Sequence, residues 1–325
     1  MKRFKNILFV VDPEKACKPA LERAVALAEN NQADLAVVDV IPRMTAGLGL
    51  FDDDSTADDL QAAAAAQHLL RLESLIKPYQ QRLPIQSKVL MGTPYLEIIR
   101  EVLRKHHDLV IRPPENAGWL GRLFGTDDMN LLRQCPCAVL LIKCKGSRSL
   151  QRIMAAVDVG DSLGMEEEAR HALNVRILEI GSALALSEFA ELHVAHVWDA
   201  PGEMFLSGMV VTTADEKVAA YVNRVKQRSS VNLDALLREL SDVLGADAIA
   251  YLKPKTHLLK GAPRQKLPAL ARRLGVDLVV MGTVARAGVP GLLMGNTAET
   301  ILQQVDCSVL AIKPPGFITP VALED

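Results

Sequence analysis

The chain is written twice. "HDLVIRP" at 107–113 returns as "VDLVVMG" at 276–282, and "CAVLLIK" at 137–143 returns as "CSVLAIK" at 307–313. Upstream, "VLMGTPYLEIIREVLRKHHDLV" runs parallel to "LLKGAPRQKLPALARRLGVDLV", pairing Gly92-Thr93-Pro94 with Gly261-Ala262-Pro263. Each half opens on an apolar run that ends in aspartate, "ILFVVD" at Asp12 and "IMAAVD" at Asp158. With 325 residues, about twice the usual domain length, the repeat implies two domains of one fold. The expected boundaries are 1–146 and 151–315, with a C-terminal tail over 316–325. The connector "CKGSRSLQ" is short and polar, so the halves are expected to pack as an intramolecular pseudo-twofold pair. Their last strands, near 138–143 and 308–313, are the sheet edges such a pairing would cover.

Within each half, short β-branched runs alternate with segments of helical period. Strands are expected near 5–11, 34–41, 85–91, 108–112 and 138–143, then near 152–158, 191–198, 247–253, 277–281 and 308–313. Helices fall between them, near 17–30, 57–77, 94–106 and 127–134, then near 166–187, 215–243, 263–274 and 297–304. Strands that are apolar throughout and separated by helices mean a parallel sheet covered on both faces. The fold class is therefore α/β, two tandem doubly wound, Rossmann-like domains. Proline after Gly92-Thr93 and Gly261-Ala262 marks a helix's first turn, where the missing N–H costs nothing.

Composition closes off several functions. Lys and Arg number 37 against 39 Asp and Glu, so no basic footprint argues for nucleic acid. No stretch approaches the length of uncharged apolar residues that spans a membrane. The run from Ile7 to Val11 is too short for a signal peptide and is stopped by Asp12-Pro13. Five cysteines, at 17, 135, 137, 144 and 307, sit mostly in or beside apolar runs, as reduced buried thiols do, so a cytoplasmic location is expected.

A first strand ending in Asp, a Gly-x-Pro before the third helix, and a fourth strand running into spaced glycines together resemble the universal stress proteins. Two such halves in one chain resemble the tandem members of that family, over essentially the whole length. The resemblance implies strand order 3-2-1-4-5 in each half, with a crevice between the first and fourth strands, the topological switch point of an open sheet. It implies a stress-response protein that works by binding and conformational signalling rather than catalysis. The implied occupant is ATP or another nucleotide-containing ligand in the second domain, and the residues fix no cofactor beyond that. Carried onto this sequence, the strand-exit positions are Val157 and Asp158 at the base and ribose, Val197 beside the adenine, and Met281 with Gly282 at the start of the phosphate loop. Ala285, Arg286, Gly295, Asn296 and Thr297 complete that loop. A further homodimer is compatible with the resemblance.

The second-half loop, "MGTVARAGVPGLLMGNTAET", keeps the family spacing but changes letters, with Ala285 at the second glycine and Asn296 at the terminal hydroxyl. If position 285 needs a left-handed backbone, alanine costs about 1–2 kcal/mol there, roughly a tenfold loss of affinity. Asn296 is expected to cap the following helix with Glu299 as its capping-box partner. A helix start of this kind favours an anion. The first-half counterpart, "RPPENAGWLGRLFGTDDMNLL", has lost more. Pro113 and Pro114 stand at or beside the first glycine, and Asp127 and Asp128 already satisfy the helix dipole. The first domain is expected to be scaffold.

Other constellations are weaker. His193 and His196, three apart on a strand, point to opposite faces and do not make a metal pair; His196, near the strand end, is a candidate border of the crevice. Cys135-Pro136-Cys137 reads as a packed helix-to-strand corner, and His106-His107 as a helix C-terminus. The insertion "DAPGEMFLSGMVVTTAD" at 199–215 is more apolar than solvated loops are, and suits packing on the other half, a lid or slot for an apolar ligand tail, or an exposed partner surface. Two further readings stay open: a nucleotide-acting enzyme with slow ATP hydrolysis, for which no nucleophile or acid stands beside Asp158 in the sequence, and a ligand-free interaction scaffold.

Overall fold

The computed structural model describes residues 4–11, 18–44, 54–114, 125–143, 150–160, 165–203, 214–283 and 294–323. The chain falls into two compact units. One is built mainly from Arg3–Arg148 and takes in the tail Ile318–Asp325; the other is built mainly from Ser149–Val289 and Leu293–Phe317.

The first unit runs β1 (Asn6–Val10), α1 (Lys18–Asn31), β2 (Asp34–Ile41), α2 (Asp54–Ile76), β3 (Ile85–Met91), α3 (Pro94–Lys105), β4 (Leu109–Arg112), α4 (Thr126–Gln134) and β5 (Ala138–Leu141). Its strands pair in parallel in the order β3-β2-β1-β4-β5. The second unit runs β6 (Arg152–Ala156), α5 (Met165–Glu188), β7 (Glu191–Trp198), α6 (Ala214–Leu244), α7 (Ala246–Leu252), β8 (Lys255–Lys260), α8 (Pro263–Leu274), β9 (Leu278–Gly282), α9 (Asn296–Gln304) and β10 (Ser308–Ile312). Its order is β8-β7-β6-β9-β10, again all parallel. Each unit thus has the 3-2-1-4-5 order, with the order reversing between its first and fourth strands.

The central strands are apolar because both of their faces are covered: Ile7, Leu8, Ile111, Ile153, Ala155, Val279, Val280 and Ile312 are fully buried. The repeated aspartates fix where the first strand of each unit begins. Asp108 accepts the N–H groups of Lys5 at 2.6 Å and Asn6 at 3.2 Å, and Asp277 accepts those of Gln151 at 2.8 Å and Arg152 at 2.9 Å. The repeated glycines fix where the third strand ends. Gly92 and Gly261 hold φ of 144° and 126°, which a side chain rarely tolerates, while their N–H groups bond Ile41 O and Trp198 O, both at 2.9 Å. Proline opens the next helix in both cases.

One expected strand is misplaced. Residues 247–253 do not form a strand; Ala246–Leu252 is helix α7, and the edge strand β8 follows at Lys255–Lys260. A five-residue apolar run such as "AIAYL" carries no period that separates strand from helix. Gly245, at φ 87°, ends α6 and starts α7, and Lys253 closes α7 in a left-handed cap. The true strand, "KTHLLK", lies at the sheet edge with partly exposed residues, so it lacks the apolar signature of its neighbours.

Candidate functional site

Where β6 ends, the backbone of 157–160 is held by side chains from three elements. Asn174 of α5, which is buried, accepts the Asp158 N–H at 2.9 Å and donates to the Asp158 carbonyl at 2.6 Å. His196 of β7 bonds the Val157 carbonyl through Nδ1 at 3.2 Å. Asn232 of α6 donates to the Val159 carbonyl at 3.0 Å. Asp158 itself is exposed, and its Oδ1 accepts the Gly160 N–H at 3.1 Å, closing a small turn. Burial pushes the His196 imidazole below its ordinary pKa, partly offset by the Val157 carbonyl, so the ring serves as a neutral brace.

Across the switch point, β9 ends at Gly282, and a Cβ there would lie 2.6 Å from Leu173 Cδ2 of α5. A side chain at 282 would therefore have to displace the Leu173 side chain. Thr283 follows, fully buried, and its carbonyl accepts the Gly295 N–H at 3.2 Å. Gly295 is the N-cap of α9, in extended conformation. Asn296 is therefore the first helical residue and not the cap, and Glu299 lies one position beyond the capping-box site. The cap has no side chain because glycine occupies it, and the helix dipole is left facing the crevice.

These exits enclose a cavity of about 440 Å³. Val157, Asp158, Val197, Met281, Gly282, Gly295, Asn296 and Thr297 all line it, although they come from four separate stretches of sequence. Leu173, Ile177, Leu267 and Ile301 supply apolar wall, and Arg170 and Asn174 polar wall. His196 does not line it. Ala285, Arg286 and the apolar segment 204–211 lie outside the described residues. His193 bonds His257 at 2.9 Å, whereas His196 bonds the Val157 carbonyl.

At the same corner of the first unit the chain supplies an ion pair of its own. Arg112, at the end of β4, and Asp128, in the first turn of α4, have side chains 8% and 0% exposed and form an ion pair at 3.2 Å. Asp128 Oδ2 also accepts the N–H of Gly125, the N-cap of α4, at 3.2 Å. A carboxylate of the chain itself thus sits where a helix start favours an anion. The sequence flagged Asp128 for its charge but gave no reason to pair it with Arg112.

Residues 3–143 and 149–313 each match the universal stress protein family. The chain belongs to that family. Among curated relatives, universal stress protein E of Salmonella typhi is 29% identical over 100% of this chain and 99% of its own length. Universal stress protein E of Escherichia coli K12 is 28% identical over 100% and 99%, and that of Photorhabdus laumondii 27% over 99% and 98%. Among solved structures, a functionally unknown protein from Pseudomonas aeruginosa PAO1 superposes with a TM-score of 0.66 at 24% identity, covering 96% of this chain and 93% of that one. A universal stress protein from Archaeoglobus fulgidus superposes at 0.61 and 18% identity, covering 95% and 98%. The two universal stress protein units of this chain are therefore unequal: one presents a lined cavity, the other an internal ion pair. Among the described residues, no helix is long and apolar enough to cross a membrane. Asn174 and Thr283 escaped the sequence reading; the one visible signal was an asparagine inside the apolar run "ALNVRILEI".

Proposed function

We propose that this chain is a non-catalytic stress-response protein that binds a nucleotide or nucleotide-derived ligand in its second unit. The observation that carries this is the composition of the cavity. One end is a helix start whose first amides have no carbonyl one turn back, suited to phosphate. The rest is aliphatic wall from Val157, Val197, Leu173, Ile177 and Met281, suited to a base or an acyl chain. A ligand with an anionic head and an apolar part uses both. Asp158, exposed and engaged with Gly160, orients the sugar rather than abstracting a proton.

Titration of the whole chain by calorimetry tests this reading. ATP should bind once per chain and weakly, a nucleotide bearing an acyl chain should bind more tightly, and no phosphate should be released. Four buried methylenes at about 0.8 kcal/mol each are enough to outweigh the loss expected from Ala285. Two equivalent tight sites, or phosphate release that tracks occupancy, would overturn it.

A further inference from the structure

The second unit is longer than the first at one place beside the cavity. Asp12 and Ala33 are 21 residues apart, and their repeat counterparts Asp158 and Ala190 are 32 apart, so the second unit carries eleven more residues between the same two points. Ala33 and Ala190 also match in structure: each N–H bonds the carbonyl five residues back, Ala28 or Ala185, at 2.9 Å. Counted back from that turn, Lys18 at the start of α1 falls level with Val175, whereas α5 extends outward to Met165. Arg170, Leu173 and Asn174 belong to that extension, and all three line the cavity.

Arg170 is the one cation among the described residues that line the cavity. No hydrogen bond or ion pair joins it to another described residue. It stands on the Asp158 side: Asp158, Arg170 and Asn174 form a wall shared with a neighbouring cavity of about 600 Å³, which Gly295, Asn296 and Thr297 do not line. Of the acids lining that second cavity, Glu239 pairs with His171 at 2.9 Å and not with Arg170.

Two places therefore favour negative charge, and they come from separate elements. One is the start of α9. The other is Arg170, whose guanidinium is always charged and offers a planar fork of N–H donors that matches phosphate. Asp158 beside it suits a sugar hydroxyl, so a charge received by Arg170 is one carried on the sugar. An arginine near the ribose plays this part toward a sugar phosphate in other doubly wound folds. We infer that the ligand of the second unit is a nucleotide phosphorylated on its ribose as well as at its 5′ end, with Arg170 holding the ribose phosphate and the start of α9 the other. This rests on the reading of the cavity as a nucleotide site.

The test titrates the full chain by calorimetry with adenosine 5′-monophosphate and with the 2′,5′ and 3′,5′ bisphosphates of adenosine. At least one bisphosphate should bind about tenfold more tightly than the monophosphate, the scale of a charge-assisted contact at a partly exposed side chain. Arg170→Gln should remove that advantage and leave the monophosphate unchanged. Arg170→Lys, which keeps the charge without the fork, should restore part of it. If neither bisphosphate binds more tightly than the monophosphate, the inference is overturned and the nucleotide reading stands. The same holds if Arg170→Gln weakens monophosphate and bisphosphate by one common factor, which would put Arg170 on the 5′-phosphate or in packing alone. A chain that binds none of the three would sink the nucleotide reading and the inference together.

Discussion

Asp128→Ala should destabilise the first unit by about 3–5 kcal/mol, because it leaves the Arg112 guanidinium buried without its carboxylate. It also removes the acceptor of the Gly125 N–H at the start of α4. For a unit of this size that lowers the melting temperature on the order of 10 °C. The double replacement Arg112→Met with Asp128→Ala installs the residues that the second unit carries at these positions. It should recover most of the loss, since an apolar pair of similar volume is often no worse than a buried ion pair. Thermal unfolding of the single and double variants measures both. Equal melting temperatures for the Asp128→Ala variant and the unaltered chain would show that the pair contributes nothing.

Acidification should produce the other large effect. Burial is the first cause that pushes His107, His193, His196 and His257 below the ordinary imidazole pKa. A base held neutral in the folded chain binds fewer protons there than when unfolded. Stability is therefore complete above about pH 6.5, the unfolded value, and is lost as pH falls below it toward the folded values. For His107 and His196, both buried, the slope is up to about 1.4 kcal/mol per pH unit each. Protonating His196 would add an N–H at Nε2, which has no acceptor among the described residues. The melting temperature should fall steadily between pH 7 and pH 5, and His107→Leu should flatten part of that fall. A melting temperature independent of pH across this range would contradict the assignment of these rings as neutral.

Much of the fold was legible because the repeat doubles each signal. Gly92 and Gly261 mark the same strand exit, and Asp108 and Asp277 the same strand start, so each reading could be checked against its copy. The edge strand β8 escaped although its half-exposed copy β3 was read at 85–91, because the neighbouring run "AIAYL" is the more apolar of the two segments. The strand-exit residues that line the cavity were legible as a resemblance, since the switch point is set by strand order. Asn174 and Thr283 were not legible. Their roles depend on which backbone group a helix side chain reaches and on which carbonyl meets the Gly295 N–H, and neither follows from spacing along the chain. The cap of α9 was misread by one residue, because Gly295 and Asn296 are both good N-caps and only the backbone angles distinguish them.

The most direct test of the central claim is native mass spectrometry of the chain purified without added ligand, alongside a Gly282→Val variant. Valine at 282 would displace the Leu173 side chain, part of the cavity wall, since even a Cβ there meets it at 2.6 Å. The account predicts at most one nucleotide-bearing molecule per chain, lost in the variant while both units stay folded. Two such molecules per chain, or one that Gly282→Val retains in full, would contradict it.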